Sequence, residues 1–144
     1  PGLIRAPGDP SGLLASIADL APTLAEYAGV PHPPTDGESL VPNFMGAPQD
    51  PDRALLLHHR TEPGDQPFGR DLPGFWGLRT QRWKYLRHGF GAGAEGESGR
   101  PEELYDLEAD PFELDNLAGD PDLAGLLEEL RGRLKDERSA APHP

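Results

Sequence analysis

The chain has 144 residues, and its 18 Gly and 18 Pro make up a quarter of it, the edge of low-complexity composition. Leu, Ile, Val and Phe together reach about 21%, just above the roughly 20% below which disorder is expected. A net charge of −12 argues against non-specific nucleic-acid binding, no apolar run has the length of a membrane helix, and zero Cys removes disulfides, thiolate metal sites and Cys nucleophiles.

Leu3-Ile4-Arg5, stopped by Pro7-Gly8, reads as the end of a buried strand, and a chain starting inside a strand is expected to be truncated. Leu13 to Ala18 is apolar enough for another buried strand. Asp19 to Gly29 predicts a helix: Asp19 as N-cap, Pro22 in the first turn, Gly29 as the left-handed stop and Pro31 blocking continuation. Leu20, Leu24, Tyr27 and Ala28 share one face of that helix. If a partner domain is missing, this face is expected to lie exposed.

Residues 30–53 are loop-rich, with a turn at Asp36-Gly37 and Ser39 placed to cap a short helical turn carrying Leu40, Phe44 and Met45. Arg53 to Arg60 reads as a strand. Phe75–Thr80 and Trp83–His88 read as a hairpin in which Trp83, Tyr85 and Arg87 alternate with Lys84, Leu86 and His88. Glu103–Leu107 is a third short strand, ended by Asp110-Pro111. The last helix opens on Asp120 as N-cap with Pro121 behind it, and carries a stripe of Leu123, Leu126, Leu127, Leu130 and Leu134. The segment from Ser139 onward reads as a disordered tail.

Charge is uneven. Residues 72–94 hold Arg79, Arg82, Lys84 and Arg87 and no acid, whereas 101–130 hold eleven acids and no base. The simplest reading is two oppositely charged solvated faces, with pairing across the fold as the alternative.

Most candidate chemistry dissolves on inspection. Gly91-Ala92-Gly93-Ala94-Glu95-Gly96 fits G-x-G-x-x-G, but acids and a strand follow where a phosphate site needs a helix N-terminus, so it reads as a loop. Asp106, Glu108 and Asp110 start like a calcium loop, but Pro111 and Leu117 occupy its obligatory Gly and Glu positions. No G-x-S-x-G, H-E-x-x-H or P-loop is present. Trp83 and Tyr85 read as sheet core. His58-His59 is the only His pair, and strand neighbours point to opposite faces, so the two cannot chelate one ion. Either could still line a substrate site.

Five motifs in order carry a resemblance. They are Pro1-Gly2-Leu3-Ile4-Arg5-Ala6-Pro7-Gly8; Asp19-Leu20-Ala21-Pro22-Thr23-Leu24 closing on Ala28-Gly29-Val30-Pro31; Asp36-Gly37-Glu38-Ser39-Leu40; Leu78-Arg79-Thr80-Gln81-Arg82-Trp83-Lys84-Tyr85; and Glu103-Leu104-Tyr105-Asp106-Leu107-Glu108-Ala109-Asp110-Pro111 running to Asn116-Leu117-Ala118. Together they resemble the C-terminal portion of the sulfatase family, in the arylsulfatase-like branch of the alkaline phosphatase superfamily.

The resemblance implies an α+β fragment: the end of an α/β sulfatase domain over residues 1–48, then a small antiparallel sheet with a C-terminal helix over 49–138, and a tail over 139–144. It implies a parent sulfuric ester hydrolase using calcium and a formylglycine made in a C/S-x-P-x-R motif. No Cys is present and none of the five Ser begins that motif, and the resemblance implies that the family's metal-ligand and catalytic-lysine motifs precede the strand at Leu3–Arg5, so no catalytic residue, metal ligand or cofactor is expected in this chain. The implied partners are the N-terminal catalytic domain of the same protein and a sulfate-ester substrate, with no nucleic acid and no membrane. Within the chain, His58, His59 and Arg60 are the expected substrate-rim residues, since cations at a strand end suit a sulfate ester. The alternatives are a phosphonate or phosphate monoester hydrolase of the same superfamily, and a non-catalytic sugar-binding or assembly module built on the Trp83/Tyr85 hairpin.

Overall fold

The structure, a computed structural model, describes residues 12–59, 74–89 and 101–140. The expected strand end at Leu3–Arg5, Arg60 and the G-x-G-x-x-G segment lie outside these residues. The chain divides into two compact units, Pro1–Leu55 and Leu56–Pro144.

In the first unit the residues expected to form a strand before Asp19 do not. Ser16 and Asp19 form a capping box: the Ser16 amide donates to Asp19 Oδ2 at 2.7 Å, and Ser16 Oγ accepts from the Ala18 amide. That pattern starts a 3-10 turn at Ile17–Asp19, which runs directly into α1 (Leu20–Ala28). Ser16 is thus the N-cap of the 3-10 turn, while Asp19, at the N-cap position of α1, has helical backbone and makes no side-chain bond to the first turn of α1. Gly29 closes the helix at φ +66, with its amide and that of Val30 donating to Glu26 and Ala25 carbonyls.

The Asp19 carboxylate does more than a cap would. It is almost fully buried and also accepts from the Glu38 amide at 2.9 Å and Arg53 Nη2 at 2.7 Å. Burial opposes its charge, but the Glu38 and Ser16 amides and the Arg53 guanidinium outweigh that and hold the carboxyl below its usual range. Thr23 Oγ1 donates to the Asp19 carbonyl and accepts from the Leu40 amide at 2.9 Å. Both tethers need Gly37, whose hypothetical Cβ would lie 2.0 Å from the Ala18 carbonyl oxygen. Gln49 pairs with both backbone groups of Leu14 at 2.8 Å, closing the unit on Leu14 and Leu40. The short helix α2 (Val41–Phe44) forms where the sequence suggested, but its N-cap is Leu40, which makes no side-chain cap bond; Ser39 Oγ, one residue earlier, accepts from the Val41 amide at 3.3 Å. The apolar stripe of α1 faces outward: Ile17, Leu20, Leu24, Tyr27 and Val30 are exposed, Leu24 by 66%.

The second unit is built on a four-stranded sheet in the order β1 (Leu55–His59), β2 (Phe75–Arg79), β3 (Trp83–His88), β4 (Glu102–Asp106). β2–β3 and β3–β4 are antiparallel, with Leu78 opposite Tyr85 and Tyr85 opposite Leu104. These three residues lie on one face at 0% exposure. Gly77 sits opposite Leu86, where an added Cβ would strike the Tyr85 carbonyl.

After β4, Asn116 runs back along the edge strand, accepting from the Leu104 amide and donating to the Glu102 carbonyl. Asp120 then accepts from the Asp122 amide, Pro121 follows, and a 3-10 turn leads into α3 (Ala124–Ala140). Leu127, Leu130 and Leu134 of α3 are buried. The helix thus continues past Ser139, where the sequence suggested a tail, because nothing in Arg138-Ser139-Ala140 breaks it. The basic and acidic segments are not separate solvated faces. They pair across β3 and β4: Arg82 with Asp106, Lys84 with Glu113, and His88 with Glu103.

Candidate functional site

Strand alternation sends His58 and His59 to opposite faces of the sheet. His58 is exposed and stacks on Trp76, with ring centroids 3.8 Å apart and planes 17° from parallel. The Arg138 guanidinium, from the last turn of α3, stands 5.2 Å from the same indole. This face therefore places a guanidinium and an imidazole against one aromatic ring.

His59 lies against Phe75, centroids 5.7 Å apart, and Phe75 meets the His88 ring edge-on at 5.9 Å. His88 Nε2 is 2.7 Å from Glu103 Oε1, and Tyr105 donates its hydroxyl to Glu103 Oε2 at 2.9 Å. Burial first, and Glu103 second, push the Tyr105 hydroxyl up to about 12, so Tyr105 stays a donor at neutral pH. Among the described residues, His59 Nε2 and His88 Nδ1 are buried ring nitrogens with no hydrogen-bond partner. The structure thus separates His58 from His59, and Arg60 lies outside the described residues.

The row from His59 through Phe75, His88 and Glu103 to Tyr105 was not anticipated. The signal was available: strand alternation together with the hairpin register aligns them once the β3–β4 pairing is known.

A second charged group is structural. Glu102 accepts from Tyr85 Oη at 2.5 Å, from Arg131 Nε at 2.9 Å and from Arg131 Nη2. The Arg131 bonds outweigh burial and hold the Glu102 carboxyl below its usual range, while burial and the Glu102 charge push the Tyr85 hydroxyl well above its own. These bonds lock α3 to the sheet face that carries Leu78, Tyr85 and Leu104. Tyr85 is thereby core, as its sequence suggested, and Trp83 carries the Arg82 guanidinium at 4.8 Å.

Among the described residues no group of three or more His, Cys, Asp or Glu side chains could hold a metal ion, and no helix is long and apolar enough to cross a membrane.

A family model described as N-sulphoglucosamine sulphohydrolase, C-terminal, matches residues 1–140. The chain belongs to this family. It is a C-terminal sulfatase portion, and relatives bear this out. It is 35% identical over 128 residues to the choline-sulfatase of Rhizobium meliloti (strain 1021), covering 84% of this chain and 22% of the relative. A protein solved in complex with its substrate D-glucosamine-2-N,6-O-disulfate superposes at a TM-score of 0.64 with 28% identity, covering 84% of this chain and 23% of that one. The phosphonate monoester hydrolase of Agrobacterium radiobacter superposes at 0.57 with 28% identity, covering 85% of this chain and 24% of that one. The sulfatase portion therefore spans less than a quarter of the length of these relatives.

Proposed function

We propose that the full-length protein hydrolyses sulfate esters and that this portion supports the catalytic domain and contributes contacts at the substrate rim. The supporting observation is the match to the sulfatase C-terminal family over nearly the whole chain. On this reading residues 1–48 complete the large α/β domain, residues 49–138 form the C-terminal subdomain, and the exposed stripe of α1 packs on the rest of the protein. His58, His59 and Arg60 are the rim residues. His58, exposed beside Trp76 and Arg138, would meet the sugar or sulfate from its face of the sheet, and His59, on the opposite face against Phe75, would serve only a ligand that reaches round the β1 edge.

A formylglycine and a calcium ion would supply the nucleophile and the polarising charge in such an enzyme. The described residues do not fit those groups: the chain has no Cys, and its described acids and histidines form no ligand cluster. Both groups are assigned to the remainder of the full-length protein. A second reading, a phosphonate or phosphate monoester hydrolase, is favoured by the likeness to the Agrobacterium radiobacter enzyme. Peptide mass mapping of the full-length protein tests the first reading. A formylglycine-bearing C/S-x-P-x-R peptide is expected, and a full-length sequence without that motif overturns it.

A further inference from the structure

Two large apolar side chains project from the turn after β4: Phe112 is 81% exposed and Leu114 78%. The backbone between them is tightly held. The Asp110 amide donates to the Asp106 carbonyl at 2.7 Å, and Asp110 Oδ2 accepts from the amides of Leu114 at 2.6 Å and Asp115 at 2.9 Å. Glu113, between the two, sits at φ +58, a left-handed conformation that non-glycine residues seldom adopt. Its carboxylate is held by Lys84 Nζ of β3 at 2.5 Å. A turn that keeps a disfavoured backbone and fixes it with this many bonds holds Phe112 and Leu114 in place before any partner arrives.

We propose that Phe112 and Leu114 are anchors by which this portion docks onto the remainder of the full-length protein, in an apolar pocket rimmed by Lys or Arg. The inference rests on the sulfatase reading, since it is the relatives that carry more than three-quarters of their length outside the matched region. Charge defines the rim: Glu108, Asp110 and Asp115 flank the pair in sequence, Glu108 and Asp115 are exposed, and Glu108 stands 3.7 Å from Arg82. A second copy using the same patch would set these acids against their own counterparts. Area points the same way. Two such side chains bury about 400 Å² at most, and the same pair from both copies of a two-fold contact about 800 Å², short of the roughly 1,000 Å² a stable dimer needs. Docking within one polypeptide has no such threshold, because the tether supplies the local concentration.

The test uses the full-length protein. Phe112→Cys and, separately, Leu114→Cys are labelled with a water-soluble maleimide, and the modified peptide is followed by mass spectrometry. Glu129→Cys, on the exposed side of α3, is the reference. Labelling at least tenfold slower than the reference, at every protein concentration, is expected. Labelling as fast as the reference overturns the proposal, and so does protection that appears only as concentration rises, which would mean a second copy. Should either variant misfold, hydroxyl-radical oxidation of Phe112 in the unsubstituted protein gives the same reading: low oxidation supports docking, and oxidation at the rate of a free Phe overturns it. Sulfate-ester hydrolysis by the unsubstituted protein is measured alongside, so failure of the sulfatase reading registers there and not in the labelling.

Discussion

Gly37 has no room for a methyl group, because the Ala18 carbonyl occupies the place of its Cβ. Only that close approach lets the Glu38 amide reach Asp19 and the Leu40 amide reach Thr23. Gly37→Ala is expected to lower stability by about 1–3 kcal/mol, read as a shift in urea midpoint. Asp36-Gly37 was legible as a turn, but the reason for its glycine was not, because Ala18 lies far back in the sequence. The role of Asp19 was hidden in the same way, since two of its partners, Glu38 and Arg53, stand 19 and 34 residues away.

Asp19 and Glu102 also set the acid limit of the fold. Both carboxyls are held below their ordinary values, so between the folded and unfolded pKa the unfolded chain binds more protons. Their stabilisation is complete above the unfolded values near about 4 and is lost as pH falls through the folded ones. The thermal midpoint should therefore drop below about pH 4.5, and a midpoint unchanged down to pH 3 would contradict this. At the rim, His58→Ala or His59→Ala in the full-length protein should raise KM for a sulfated sugar by about tenfold, the worth of one hydrogen bond to a charged group. A small aryl sulfate, too short to reach the rim, should be unaffected; equal losses on both substrates would argue against the assignment.

The elements followed their sequence patterns where the pattern was local. The Leu stripe of α3, the hairpin and the short strand after it were all legible from periodicity and stop signals. The segment before Asp19 was misread because its apolar content suggested a strand, while Ser16 and Asp19, three apart, encoded a capping box. The charge blocks were misread because composition does not reveal which strands are neighbours.

Buried and exposed leucines should answer differently to truncation. Leu130→Ala or Leu134→Ala should cost about 2–5 kcal/mol, since both are buried against the sheet unit. Leu24 is 66% exposed, and truncation of such a residue ordinarily stays within about 0.5 kcal/mol. If the α1 stripe packs on the remaining protein, Leu24→Ala should instead cost about 2–4 kcal/mol in the full-length molecule. An unchanged unfolding midpoint there would leave the stripe without a partner.

At the scale of the whole molecule, 144 residues with a quarter Gly and Pro fold into elements separated by turns, in two compact units. Among the described residues no group of three or more His, Cys, Asp or Glu side chains could hold a metal ion. What these residues gather is a lock between α3 and the sheet, two imidazoles on opposite sheet faces, and apolar groups turned outward. The family was legible from the motif series and not from any one residue, because each motif alone is short and only their order and spacing together are specific.

The most direct test is turnover by the full-length protein, purified with calcium, on an aryl sulfate and the matching aryl phosphate under identical conditions. The account predicts that kcat/KM for the sulfate exceeds that for the phosphate. Turnover of the phosphate alone, or of neither ester by a folded protein that carries formylglycine, would contradict it.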